Sequence, residues 1–141
     1  AEQFRDKLTK VLLNEVGFAF MEKLRSKGIV SGAAVVGDVT GKYVIILDDL
    51  ISSGTTMSRA AAACVKVGAS GVYAVATHGT FTHLANDALE EEALLNVVVT
   101  NTVQEGRLSE RTSKEKLVVL DVAPLFAETI SRLHSGGSLV S

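Results

Sequence analysis

Residues 44–56 read VIILDDLISSGTT: four aliphatic side chains, then Asp48 and Asp49 side by side, then Ser52, Ser53, Thr55 and Thr56 around Gly54. Adjacent carboxylates repel, so stability alone does not ask for them at the end of an apolar run. Hydroxyls and backbone N–H groups gathered at the start of a helix make an anion site. Glycine there lets the backbone approach the anion closely. Carboxylates beside such a pocket suit sugar hydroxyls or magnesium, which takes hard oxygen ligands. Phosphate, diol and magnesium together describe a phosphorylated ribose. Helix capping accounts for one or two of these residues, but not for the whole set. The stretch has no P-loop lysine and no G-x-G-x-x-G ahead of it, so a nucleotide cradle fits poorly.

Other residues could contribute chemistry. Lys23 and Arg25, in the polar segment EKLRSKGIVS, are two cations on a glycine-containing loop that could clamp phosphates in a transition state; solvated surface charges are the commoner fate of such residues. His78 ends an apolar run in ATHGTF and, if its strand is parallel to that of the aspartates, shares their edge. Asn101 and Thr102 end another run. His83 is close by, but a metal pair would need a third ligand that the sequence does not nominate. His134 falls near a helix C-terminus, where a cation is favoured anyway. Cys64 sits among helix-face residues and reads as core.

The elements that would position these groups follow from periodicity. Phe4, Leu8, Val11 and Leu12 share one face of a helix over residues 1–13. GFAFM reads as a short strand and 22–31 as a loop. GAAVVGDVTGKYVIILDD is two extended runs joined by a Gly-Asp-Val-Thr-Gly turn. Met57, Ala60, Ala61, Cys64 and Val65 make a helix face from about Thr55, with Gly68 as its C-terminal cap. GVYAVAT is a strand buried on both faces, LANDALEEEALL a helix with EEE on its solvated side, and NVVVTN and KLVVLDVA further strands. QEGRLSERTSKEK reads as a polar surface loop. Pro124 opens a last helix carrying Phe126, Ile130 and Leu133. Helices alternating with apolar strands predict an α/β fold with an open, mostly parallel, Rossmann-like sheet.

At 141 residues the chain suits one domain, with 47% hydrophobic and 21% charged residues. A net charge of −2 gives no general attraction to nucleic acid or an anionic membrane, and no apolar run is long enough to span a bilayer. One cysteine excludes an internal disulfide and is compatible with a cytoplasmic setting.

The quoted loop resembles the phosphoribosyl-pyrophosphate loop of type I phosphoribosyltransferases and of ribose-phosphate pyrophosphokinases. Its flanks, VVGDVTGKYVIILDDLI, GASGVYAVATHGTF, VVVTNT and LVVLDVAPLFAETISRLH, resemble the C-terminal half of the latter family in order along nearly the whole chain. The resemblance implies a type I phosphoribosyltransferase fold, ATP and ribose 5-phosphate as substrates, phosphoribosyl pyrophosphate as product, Mg2+ as cofactor and a homo-oligomer. By the same resemblance Asp48 and Asp49 hold the ribose hydroxyls and assist the metal, and residues 52–56 grip the 5-phosphate. Lys23 and Arg25 would belong to the catalytic loop, while Asn101 and Thr102 would lie near the sugar phosphate. Ser52, Thr55 and Leu24 depart from the common pattern, Leu24 removing a basic side chain. The family's amino-terminal half, with much of its ATP site, would precede Ala1. Two other readings share the loop: a transferase that consumes phosphoribosyl pyrophosphate, for which no base-recognising hood is found, and a non-catalytic sugar-phosphate-binding module.

Overall fold

The structure is a computed structural model that describes residues 2–26, 29–104 and 107–139, with the side chains of 22–33 outside the description. The element order is α1 (Glu2–Leu12), β1 (Phe20–Ser26), β2 (Ile29–Val36), β3 (Tyr43–Ile51), α2 (Thr55–Lys66), β4 (Gly71–Gly79), α3 (Ala85–Leu89), β5 (Leu94–Thr100), α4 (Glu110–Lys116), β6 (Leu117–Leu120) and α5 (Ala123–Ser135).

Strands β3, β4, β5 and β6 lie side by side in that order, each pair parallel. Successive right-handed crossovers that step one way along a sheet put their helices on one face, and α2, α3 and α4 all pack on that face. Strand alternation, with a register shift in β5 between Leu94 and Asn96, sends Val72, Ala74, Ala76, Leu94, Val97 and Val99 to that side. There they form the core with Met57, Ala61 and Cys64 of α2 and Ala85 and Leu89 of α3. Across the sheet Tyr43, Ile45, Val118 and Leu120 are exposed, as are Phe126, Ile130 and Leu133 of α5.

The four-stranded sheet is wholly parallel, and β2 does not join it. It pairs antiparallel with β1 in a separate hairpin. The segment 22–31 is therefore mostly strand rather than loop. The aliphatic run of β2 supplies a backbone partner on which polar residues 22–26 complete a ladder, and no local pattern in EKLRS announces that pairing. The short strand expected at GFAFM begins only at Phe20.

Two further expectations change. The helix expected over 84–95 is five residues long, and Leu94 already belongs to β5. Glu90 lies at the helix C-cap rather than on a solvated helix face, and its carboxylate accepts a hydrogen bond from the buried Thr112 hydroxyl at 2.8 Å. The polar segment after Gln104 contains α4, because Ser109 caps it by accepting from Thr112 N–H at 3.1 Å. The helix from Thr55, its buried residues Met57, Ala60, Ala61 and Cys64, and Pro124 in the first turn of α5 match the sequence reading. Val65 instead stays largely exposed, while Gly68 takes φ +96° just beyond α2.

Candidate functional site

In open parallel sheets, ligands sit beyond the carboxyl ends of the strands. Strand β3 ends there with Asp48, Asp49 and Ile51, and α2 begins at Thr55. Register pairs Asp48 with Ala76 and Leu50 with His78 on β4, and His78 in turn pairs with Thr100 on β5. The strand-end residues singled out by sequence therefore do share one edge.

Four hydroxyls flank the start of α2, yet no side chain caps it. Ser53 and Thr55 hydroxyls bond to each other at 2.6 Å instead. Thr55 N–H reaches Ser53 Oγ only at 3.5 Å, too long to satisfy the donor. The first helical bond runs from Ser58 N–H to the Gly54 carbonyl at 2.9 Å. The first-turn N–H groups of Thr55, Thr56 and Met57 thus face outward with the positive end of the helix dipole. Helix capping therefore leaves these hydroxyls unexplained.

Gly54 has φ +72°, a left-handed conformation that costs other residues energy. A Cβ there would lie 3.1 Å from the Ala88 Cβ and 3.3 Å from Leu89 Cδ2. The turn and the contact with α3 both call for glycine here. A cleft of about 140 Å3 is lined by Asp48, Ser52, Ser53, Gly54, Thr56 and the neighbouring β3 and α2 residues.

Asp48 and Asp49 do not crowd one another, because alternation directs them to opposite faces of β3. Asp48, whose Oδ1 accepts from Asp49 N–H at 2.9 Å, lines the cleft, and Asp49 does not. Neither carboxylate has an ion-pair partner among the described residues. An exposed carboxylate without an ion-pair partner suits magnesium, which keeps several waters and substrate oxygens and needs few protein ligands. No cluster of three or more His, Cys, Asp or Glu side chains suited to a metal is present among the described residues.

Farther along the edge, His78 Nδ1 and Thr102 Oγ1 share a hydrogen bond of 2.7 Å. The Asn101 amide donates to Asp121 Oδ1 at 2.7 Å and its carbonyl accepts from Val122 N–H at 3.0 Å. Asp121, which sequence reasoning passed over, also accepts from Ala123 N–H at 2.9 Å. The backbone donor and the Asn101 amide together hold its carboxyl below the usual value. Its signal was an aspartate two residues ahead of a helix start. Lys23 and Arg25 lie on β1, opposite Ala33 and Val30, and their side chains fall outside the described residues. Cys64 is buried in the core, and burial pushes its thiol pKa up, the reverse of what a nucleophile needs.

A wholly parallel sheet with its connecting helices packed on one face, and with an open helix N-terminus at the strand ends, defines an open α/β domain. Residues 19–141 match the family model described as phosphoribosyl synthetase-associated domain, and the chain belongs to that family. It is 39% identical over 140 residues to a ribose-phosphate pyrophosphokinase of Caldanaerobacter subterraneus, covering 99% of this chain and 42% of the relative. Identity to the Wolinella succinogenes ribose-phosphate pyrophosphokinase is 42% over 122 residues, covering 86% and 38%. The crystal structure of phosphoribosylpyrophosphate synthetase from Mycobacterium smegmatis superposes with a TM-score of 0.77 at 35% identity, over 96% of this chain and 42% of that one. The chain therefore spans about two fifths of the length of these relatives.

Proposed function

We propose that this chain is the sugar-phosphate-binding part of a ribose-phosphate pyrophosphokinase, which transfers the pyrophosphoryl group of ATP to the 1-hydroxyl of ribose 5-phosphate and releases AMP. The observation that carries the reading is the uncapped N-terminus of α2, opening beside Asp48 into a cleft of phosphate size. In this reading the N–H groups and hydroxyls of residues 52–56 hold the 5-phosphate. Asp48 and Asp49 accept from the ribose hydroxyls from either side of β3 and are the residues that would hold magnesium. Magnesium, when bound, neutralises charge on the phosphate oxygens. Lys23 and Arg25 would stabilise the transferring group, since phosphoryl-type transfer depends on positioning and electrostatics more than on covalent chemistry. His78, held by Thr102, orders the far rim of the site.

The experiment is AMP formation from ATP and ribose 5-phosphate by a protein that contains this chain with the additional length of its relatives. Magnesium-dependent AMP release supports the reading. Base-dependent pyrophosphate release instead would assign it to the transferases that consume phosphoribosyl pyrophosphate.

The chain exposes 9678 Å2, about 2,700 Å2 more than the roughly 7,000 Å2 of a compact monomer of its mass. The unpaired edge of β3 and the exposed apolar face beside it carry part of that excess. This supports a homo-oligomer, and light scattering tests it: a mass above 14.8 kDa at micromolar concentration is expected, and a strict monomer contradicts it. No helix among the described residues is long and apolar enough to cross a membrane. A cytoplasmic location is part of the proposal, in keeping with a single, unpaired cysteine.

A further inference from the structure

We propose that the turn from Gly79 to Thr82, at the end of β4, positions the 52–56 loop, with Phe81 as its positioning residue. The inference rests on the sugar-phosphate reading of that loop and says what aims its donors. Thr80 and Phe81 N–H groups both donate to the Ile51 carbonyl, at 3.0 and 3.3 Å, and Thr82 N–H donates to the Ser52 carbonyl at 3.0 Å. The Thr80 hydroxyl adds a longer bond to the Ile51 carbonyl at 3.4 Å. In a trans peptide the carbonyl and the following N–H point in opposite directions. Fixing the Ile51 and Ser52 carbonyls on the turn therefore directs the Ser52 and Ser53 N–H groups away from it. Ile51, Ser52 and Ser53 line the 140 Å3 cleft, and residues 80–82 do not. The turn thus converts two carbonyls that would repel an anion into two N–H groups that attract one. They extend the row begun by the first turn of α2.

Phe81 holds the turn in place. It has φ +21°, which a bulky side chain rarely adopts, and its ring is buried with 3% exposure. Such a conformation persists only where surrounding packing imposes it. The packing is visible at Gly79, where a Cβ would lie 2.5 Å from Phe81 Cε2, 2.8 Å from Cζ and 3.1 Å from Val99 Cγ1. Gly79 is therefore the space into which the ring fits. Shifting the ring would rotate the Phe81 and Thr82 N–H groups off their carbonyls.

The test is Gly79→Ala, titrated calorimetrically with ribose 5-phosphate and, separately, with ribose. The expected result is about tenfold weaker binding of ribose 5-phosphate with ribose affinity unchanged, the loss corresponding to about one phosphate hydrogen bond. A merely structural role would lower the fraction of binding-competent protein at unchanged affinity. Phe81→Leu serves if Gly79→Ala does not fold: leucine does not fill the place of the ring against Gly79, so it too should weaken ribose 5-phosphate at unchanged ribose affinity. The double variant should recover part of the affinity lost in Gly79→Ala. Wild-type affinity for ribose 5-phosphate in folded Gly79→Ala and Phe81→Leu overturns the positioning role and leaves the sugar-phosphate site standing. Failure of the wild-type chain to bind ribose 5-phosphate overturns both.

Discussion

Gly54 and Gly41 form a natural pair for a quantitative test. Both have nearly the same backbone, φ +72° and φ +69°. Their surroundings differ: a Cβ at Gly41 meets nothing within 4 Å, whereas one at Gly54 meets Ala88 at 3.1 Å and Leu89 at 3.3 Å. Gly41→Ala therefore isolates the cost of a left-handed alanine, about 1 kcal/mol. Gly54→Ala adds overpacking against α3 of about another 1 kcal/mol, for a total of about 2 kcal/mol. For a chain of this size that corresponds to Tm losses of roughly 4 °C for Gly41→Ala and roughly 8 °C for Gly54→Ala, read by circular dichroism on reversible melts. Only Gly54→Ala should also weaken ribose 5-phosphate, because only that glycine fixes the anion loop. Equal Tm losses for the two variants would refute the idea that α3 holds the loop. Unchanged ligand affinity in Gly54→Ala would refute its part in the site.

Other outcomes follow from single contacts. Asp48→Asn should weaken ribose 5-phosphate at least about tenfold while changing stability by less than about 0.5 kcal/mol, since the side chain is exposed, has no ion-pair partner among the described residues, and asparagine keeps the oxygen that accepts from Asp49 N–H; a loss of AMP formation of at most a few-fold for Asp49→Asn would remove that residue from the site. The depressed Asp121 pKa stabilises the fold above the unfolded carboxyl value near 3.9, and that contribution is lost as pH falls through the lower folded value. Melting curves of wild type and Asp121→Asn should accordingly differ by a constant amount above about pH 5 and converge in acid. Thr82 Oγ1 is buried with no hydrogen-bond partner among the described residues, so Thr82→Val should leave Tm unchanged or raise it. Cys64 should resist a thiol reagent at neutral pH until the chain is unfolded, and prompt labelling of the native chain would contradict its burial.

Local chemistry made much of this molecule legible in advance. The hydroxyl-rich loop, the helix start at Thr55 and the apolar strands of the parallel sheet each announce themselves within a few residues. What depends on distant partners does not. The β1–β2 ladder exists because β2 offers a partner to polar residues that alone read as a loop. Helix α4 needs Ser109 as its cap, and it places Thr112 in the core, bonded to a glutamate 22 residues earlier. The same limit applies at the site. Composition pointed to Asp48, Asp49 and 52–56, but strand alternation decides that only Asp48 lines the cleft. Asn101 stands at a strand end in the sequence, but that both ends of its amide join β5 to the segment between β6 and α5 shows only in the fold. The Gly79–Thr82 turn leaves no mark in the sequence, since its role lies in backbone bonds to another strand end.

The measurement that bears most directly on the central claim is calorimetric titration of the chain with ribose 5-phosphate and with ribose, with and without magnesium, repeated on an Asp48→Asn/Asp49→Asn double variant. Saturable binding of ribose 5-phosphate, much weaker binding of ribose, and loss of affinity in the double variant are the expected results. Equal affinity for the two sugars, or undiminished binding by the double variant, would contradict the assignment of the Asp48–Thr56 segment as a sugar-phosphate site.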